Sequence, residues 1–105
     1  MERYEINWTS RAKKDLRKVY NFYTKTINEE KAFEIVSDVL KRVDLLSDPK
    51  FAKMGAIDEA FKHLKRKYKK LIEKDLKITY RLSESKHIVY INRIFDTRQD
   101  PSKNK

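Results

Sequence analysis

Basic side chains are the only ones this sequence concentrates enough to do chemistry. From Lys62 to Lys77, eight of sixteen positions are Lys or Arg: Lys62, Lys65, Arg66, Lys67, Lys69, Lys70, Lys74 and Lys77. Clustered cations hold a phosphodiester and stabilise the charge that builds on its oxygens in a transition state. Like charges around a lysine disfavour its protonated form, which suits it to take a proton from a ribose 2′-hydroxyl. That route requires RNA, because DNA has no 2′-hydroxyl. The same basic residues also serve modules that bind polyanions and catalyse nothing.

Other chemistries lack their residues. The chain has no Cys, so thiolate nucleophiles and disulfides are excluded. Its single Gly cannot build a P-loop or a dinucleotide-binding fingerprint. His63 and His87 are far apart in sequence, and with no Cys they make a protein zinc site unexpected. No metal and no cofactor is expected. His63 reads as an exposed or helix-edge residue, with an active-site role as the alternative, and His87 as a structural one at the start of a strand. Trp8, Tyr20 and Tyr23 read as packing residues. Tyr80 and Tyr90 are better placed for base stacking, although core packing suits them too.

The elements that must position the basic residues follow from periodicity. Tyr4, Ile6 and Trp8 alternate with polar residues, which predicts a half-buried strand. Thr9 or Ser10 then caps a helix whose stripe is Ala12, Leu16, Val19 and Tyr23. Thr26 or Asn28 caps a second helix carrying Ala32, Ile35, Val36, Val39, Val43 and Leu46, stopped at Ser47-Asp48-Pro49. Two such helices joined by a short turn should pack as an antiparallel hairpin. Residues 49–66 are less regular. Gly55 suggests a turn, and Ile57, Ala60, Phe61 and Leu64 suggest one or two helical turns.

The remainder reads as strands. Residues 68–73 form the first. Leu76, Ile78, Tyr80 and Leu82 alternate with Lys77, Thr79 and Arg81, the clearest strand pattern in the chain. Lys74-Asp75 makes a hairpin turn without the favoured Gly. Ser83 to Lys86 makes the next turn, and His87–Phe95, apolar on both faces, is expected as a central strand. Residues 96–105 are expected as a frayed polar tail.

The fold class is thus α+β, in the order β-α-α-β-β-β, with a small antiparallel-type sheet on an N-terminal helical hairpin. Lys77, Thr79 and Arg81 would lie on the sheet face away from the helices, joined by Arg93 if the last strand is in matching register. That would make a concave, positively charged surface.

At 105 residues the chain is expected to be one domain, 1–105. Leu, Ile, Val and Phe number 27, enough for a modest core under a surface that is 40% charged. The net charge is +10, of which residues 49–105 carry +9. A one-sided field of this sign draws RNA, DNA, a ribosome or an acidic protein. There is no signal-peptide pattern and no apolar run near the ~20 residues of a membrane span. A cytoplasmic basic protein is expected.

The sequence resembles the RelE/ParE superfamily of type II toxin–antitoxin toxins, a resemblance that implies a role such as plasmid stabilization. The resemblance rests on Tyr68-Lys69-Lys70-Leu71-Ile72, on Lys77-Ile78-Thr79-Tyr80-Arg81, and on the run from Val89 through Arg93 and Arg98 to Pro101. Ser10-Arg11-Ala12-Lys13-Lys14-Asp15-Leu16 is similar to the start of the superfamily's first helix. One departure is Lys74-Asp75, where many members have a Gly.

The resemblance implies a bacterial toxin silenced by an acidic, partly disordered antitoxin. It leaves two targets open. RelE-like members act as mRNA interferases in the ribosomal A site, and ParE-like members bind DNA gyrase. In the first case Lys69 or Lys70 would be the candidate base. Lys77, Arg81 and Arg93 would clamp phosphate, and Arg98, Lys65, Arg66 and Lys67 would bind RNA or target. Some RNase branches carry a His-Tyr pair or a lone Tyr near the C-terminus, whereas no His or Tyr follows Tyr90 here. The residues 95–101 look slightly more like the ParE branch. The alternative is a non-toxic basic nucleic-acid-binding module.

Overall fold

A computed structural model describes residues 3–54, 56–57 and 68–97. Strand β1 (Glu5–Trp8) leads into helix α1 (Ser10–Thr26), followed by α2 (Glu29–Asp44), a single 3-10 turn (Leu45–Ser47) and the short α3 (Pro49–Met54). Strands β2 (Ala56–Ile57), β3 (Lys69–Glu73), β4 (Leu76–Ser83) and β5 (Ile88–Asp96) complete an α+β fold. The sheet order is β1-β5-β4-β3-β2. All neighbours are antiparallel except β1 and β5, which run parallel, so the sheet is mixed.

Capping chemistry sets the helix starts. The Thr9 hydroxyl accepts from the Ala12 N–H, and Asn28, not Thr26, caps α2 by accepting from Lys31. The same Thr9 hydroxyl donates to the Ile91 carbonyl, which ties the start of α1 to the middle of β5. Pro49 does not merely stop α2. It opens α3 as the first helical residue, where a missing N–H costs nothing, while the Asp48 carboxylate accepts from Lys50. The helical segment before the sheet is therefore at 49–54. Ile57 lies in β2 and not on a helix, and Gly55, Ala60, Phe61, His63 and Leu64 lie outside the described residues.

The core lies between the helices and one sheet face. Val19, Val39, Val43, Leu76, Ile78, Tyr80, Val89, Ile91 and Ile94 are buried there. Tyr23, also buried, donates to Asp96 at 2.7 Å, and Tyr80 donates to the Ala52 carbonyl at 2.7 Å. Asp96 therefore belongs to β5 and to the core, and Thr97 donates twice to the Asp75 carbonyl. A frayed tail beginning at residue 96 does not hold for these two; residues 98–105 lie outside the described set.

β5 contains the feature that sequence alternation hides. Thr79 pairs with Arg93 but Tyr80 pairs with Ile91, so Asn92 has no register partner. This is a β-bulge with its extra residue on β5. It reverses the side-chain parity. Val89 and Ile91 face the helices on one side of the bulge, and Ile94 and Asp96 do so on the other.

Candidate functional site

Strand register sorts the basic residues by face, because paired residues point the same way. Lys70 pairs with Thr79, Ile72 with Lys77, Arg81 with Tyr90, Thr79 with Arg93 and Lys77 with Phe95. Lys70, Lys77, Arg81 and Arg93 thus share the face away from the helices, as expected for three of them. Lys69 pairs with Tyr80 and reaches the Lys53 carbonyl of α3 at 3.4 Å, so it lies on the helix side. The two candidate bases are on opposite faces.

These cations rest on aromatic rings. The Arg81 guanidinium lies 4.4 Å from the Tyr90 ring centre, while the Lys77 ammonium and the Arg93 guanidinium lie 5.4 and 4.6 Å from that of Phe95. Phe95 is a platform the sequence reading passed over, although it sits two residues from Arg93 on the same face. Lys77 is only 5% exposed and Thr79 is fully buried. The expected row of exposed cations along β4 is therefore reduced to Arg81 and its cross-strand neighbours.

Arg93 has a further commitment. Its Nε donates to the Asp15 carboxylate of α1 at 2.8 Å, and the same carboxylate accepts from the Ile94 N–H at 3.0 Å. β1 covers β5 only from Ile88 to Ile91, so the Ile94 N–H lies on uncovered strand edge, and Asp15 satisfies it. Asp15 is 6% exposed, a buried acid completed by donors from Arg93 and Ile94, nearly eighty positions away. Lys65, Arg66, Lys67 and Arg98 lie outside the described residues. Among the described residues, no group of three or more His, Cys, Asp or Glu side chains is placed to hold a metal ion.

At the far end of the sheet the β3–β4 turn is held to α2. Lys74 adopts a left-handed backbone (φ 57°), the conformation for which Gly is favoured, and donates to Asp38 at 2.9 Å. That bond holds the Asp38 carboxyl below, and the Lys74 ammonium above, the ordinary range. His87, also left-handed, stacks on Tyr4 with ring centres 5.9 Å apart. On the outside of the helical hairpin, Trp8, Leu16, Tyr20, Val36 and Leu40 line a groove of about 410 Å³ flanked by Lys13 and Arg17.

A helical hairpin laid on a mixed sheet, with a basic far face closed by a long final strand, is the architecture of the RelE/ParE toxins. The model of the family described as "ParE toxin of type II toxin-antitoxin system, parDE" matches residues 6–101, and the chain belongs to that family. Its fold is similar to a solved structure of the chromosomal ParDE toxin–antitoxin system from P. aeruginosa. That match has 25% identity over 89% of this chain and 95% of the other, with a TM-score of 0.71. It is also similar in fold to a chain of the RelBE2 toxin–antitoxin complex from Mycobacterium tuberculosis, with 21% identity, 95% and 97% coverage and a TM-score of 0.62. No curated protein matches the sequence significantly. No helix among the described residues is long and apolar enough to cross a membrane.

Proposed function

We propose that this protein arrests growth by binding DNA gyrase, as the ParE branch does, and that an acidic antitoxin silences it. The observation that carries this reading is the prior commitment of the cations an RNase would need. Of the four that share the far face, Lys77 is buried over Phe95 and Arg93 is bonded to Asp15, which leaves Lys70 and Arg81. Acid–base cleavage of a phosphodiester needs a base and an acid within hydrogen-bond reach of one reacting centre. Residues 91–105 hold no counterpart of the His or Tyr that some RNase branches carry there. A binding surface makes no such demand. Membership of the ParE family supports the same reading. The net charge of +10 suits an acidic antitoxin that orders on binding, and the similar folds come from toxin–antitoxin systems.

Two assays on the full chain test this. With gyrase and relaxed plasmid, the protein should block supercoiling and accumulate gyrase–DNA cleavage complexes. In a purified translation reaction read by primer extension, the mRNA should stay intact. Cuts that appear only on ribosome-bound message, and that vanish in Lys70→Ala and Arg81→Ala, would replace this reading with the RNase one. Expression that leaves growth unaffected would favour the non-toxic binding module.

A further inference from the structure

We propose that the outer ridge of α1 is a docking surface for the phosphate backbone of duplex DNA. Helix α1 carries six cations and one acid. The acid, Asp15, is buried and already bonded to Arg93 and the Ile94 N–H, so it neutralises none of the exposed charge. None of the six cations forms an ion pair with a described acid. At about 100° per residue, Arg11, Lys14, Lys18 and Lys25 fall within an arc of about 60°, and all four are exposed. Lys13 and Arg17 point elsewhere, to the groove between the helices.

The ridge is also locally unfavourable. Arg11, Lys13 and Lys14 crowd the first turns of α1, where the helix dipole disfavours positive charge and where there is no acid to offset them. A stretch that breaks a local rule without structural gain is where function is expected.

The ridge suits phosphate better than protein. One apolar side chain, the exposed Phe22, borders the arc about 20° beyond Arg11, whereas the groove on the other flank of α1 is lined by several. The single ring at its border, Phe22, does not supply the succession of platforms on which unpaired bases stack, which disfavours single strands. From Arg11 to Lys25 it runs straight for about 21 Å, the length of about six base pairs. The choice of DNA over RNA rests on the gyrase reading, because gyrase presents duplex DNA beside any protein bound to it.

The test uses the full chain and a fluorescent 20-base-pair DNA duplex, with anisotropy read from 50 to 200 mM salt. Arg11→Gln/Lys14→Gln/Lys18→Gln is compared with Lys41→Gln/Lys50→Gln/Lys86→Gln, which removes the same charge from exposed sites elsewhere. Both should melt like the wild type. The ridge variant should lose at least about tenfold in affinity and about 2–3 units of salt slope, and the control less than about threefold. Equal losses in the two variants, or no binding by the wild type, would overturn the proposal. Tighter binding to an RNA duplex of the same sequence would overturn the choice of DNA. Supercoiling assays run in parallel keep the two readings apart. Ridge-dependent DNA binding without any effect on gyrase leaves the ridge standing and removes the gyrase reading. A gyrase effect untouched in the ridge variant, with equal DNA losses in both, does the reverse.

Discussion

Asp15 joins α1 to the far end of β5. It satisfies the uncovered Ile94 N–H of β5 and pairs with the Arg93 guanidinium. Asp15→Ala leaves a buried N–H and a half-buried guanidinium without their acceptor. The expected loss is about 2–3 kcal/mol, measured by urea unfolding. A loss no larger than that of an exposed Lys→Ala would contradict the role assigned here. Tyr23→Phe and Tyr80→Phe each remove one buried hydroxyl donor and should each cost about 1 kcal/mol by the same measurement. Tyr80 settles as a core residue with its hydroxyl on Ala52, so base stacking by that ring is ruled out by burial. Tyr90 remains on the far face under Arg81.

Two elements decide how the far face is composed. The bulge at Asn92 lets β5 feed Val89, Ile91, Ile94 and Asp96 to the core while giving Tyr90, Arg93 and Phe95 to the opposite face. Deleting Asn92 would close the ladder with Ile91 still opposite Tyr80 and Arg93 still opposite Thr79, so every side chain keeps its face and only the local bend is lost. The deletion variant is therefore expected to keep a cooperative unfolding transition. Loss of that transition would show that the bend at the bulge is itself required for the fold.

The turn from β3 to β4 is held by Lys74 on Asp38, and its pH dependence follows from the two shifts. The Asp38 pKa is lowered from 3.8 by the Lys74 hydrogen bond, so its contribution is present above that value and lost as pH falls through the folded value below it. The Lys74 pKa is raised from 10.5 by the same bond, so its contribution is present below that value and lost at still higher pH. The clamp therefore operates throughout the neutral range. The stability gap between the wild type and Asp38→Asn should be constant from about pH 5 to pH 8 and close below about pH 4. A gap that persists at pH 2 would assign the effect to something other than charge.

Across the whole molecule the charge is more segregated than the halves of the sequence suggest. Residues 1–48 carry ten basic and nine acidic residues, which looks balanced. Folding separates them. Most of those acids sit on α2 and its flanks, and the cations of α1 are gathered on its solvent side. A second basic set lies on the far face of the sheet. A positive field of this kind speeds encounter with any acidic partner, so association with an acidic antitoxin should slow at least about tenfold between 50 and 500 mM salt. Stopped-flow mixing would measure it, and a salt-independent rate would mean that apolar contacts alone guide the encounter.

Much of this architecture is legible in the sequence because it is local. The alternation in β1 and β4, the 3.6-residue stripes of α1 and α2, the caps at Thr9 and Asn28, and the turn at Lys74-Asp75 are each set within a few residues by backbone geometry and burial. The same alternation already places Lys69 and Lys70 on opposite sides of a strand. Tertiary structure decided what depends on register and on partners distant in the chain. It paired β1 with β5 in parallel and expelled Asn92 from the ladder. It buried Lys77 against Phe95 and joined Asp15 to Arg93 across 78 positions. The physical reason is that periodicity reports which face of an element is apolar, whereas the partner of a polar atom depends on where two elements meet, and no short stretch of sequence contains both.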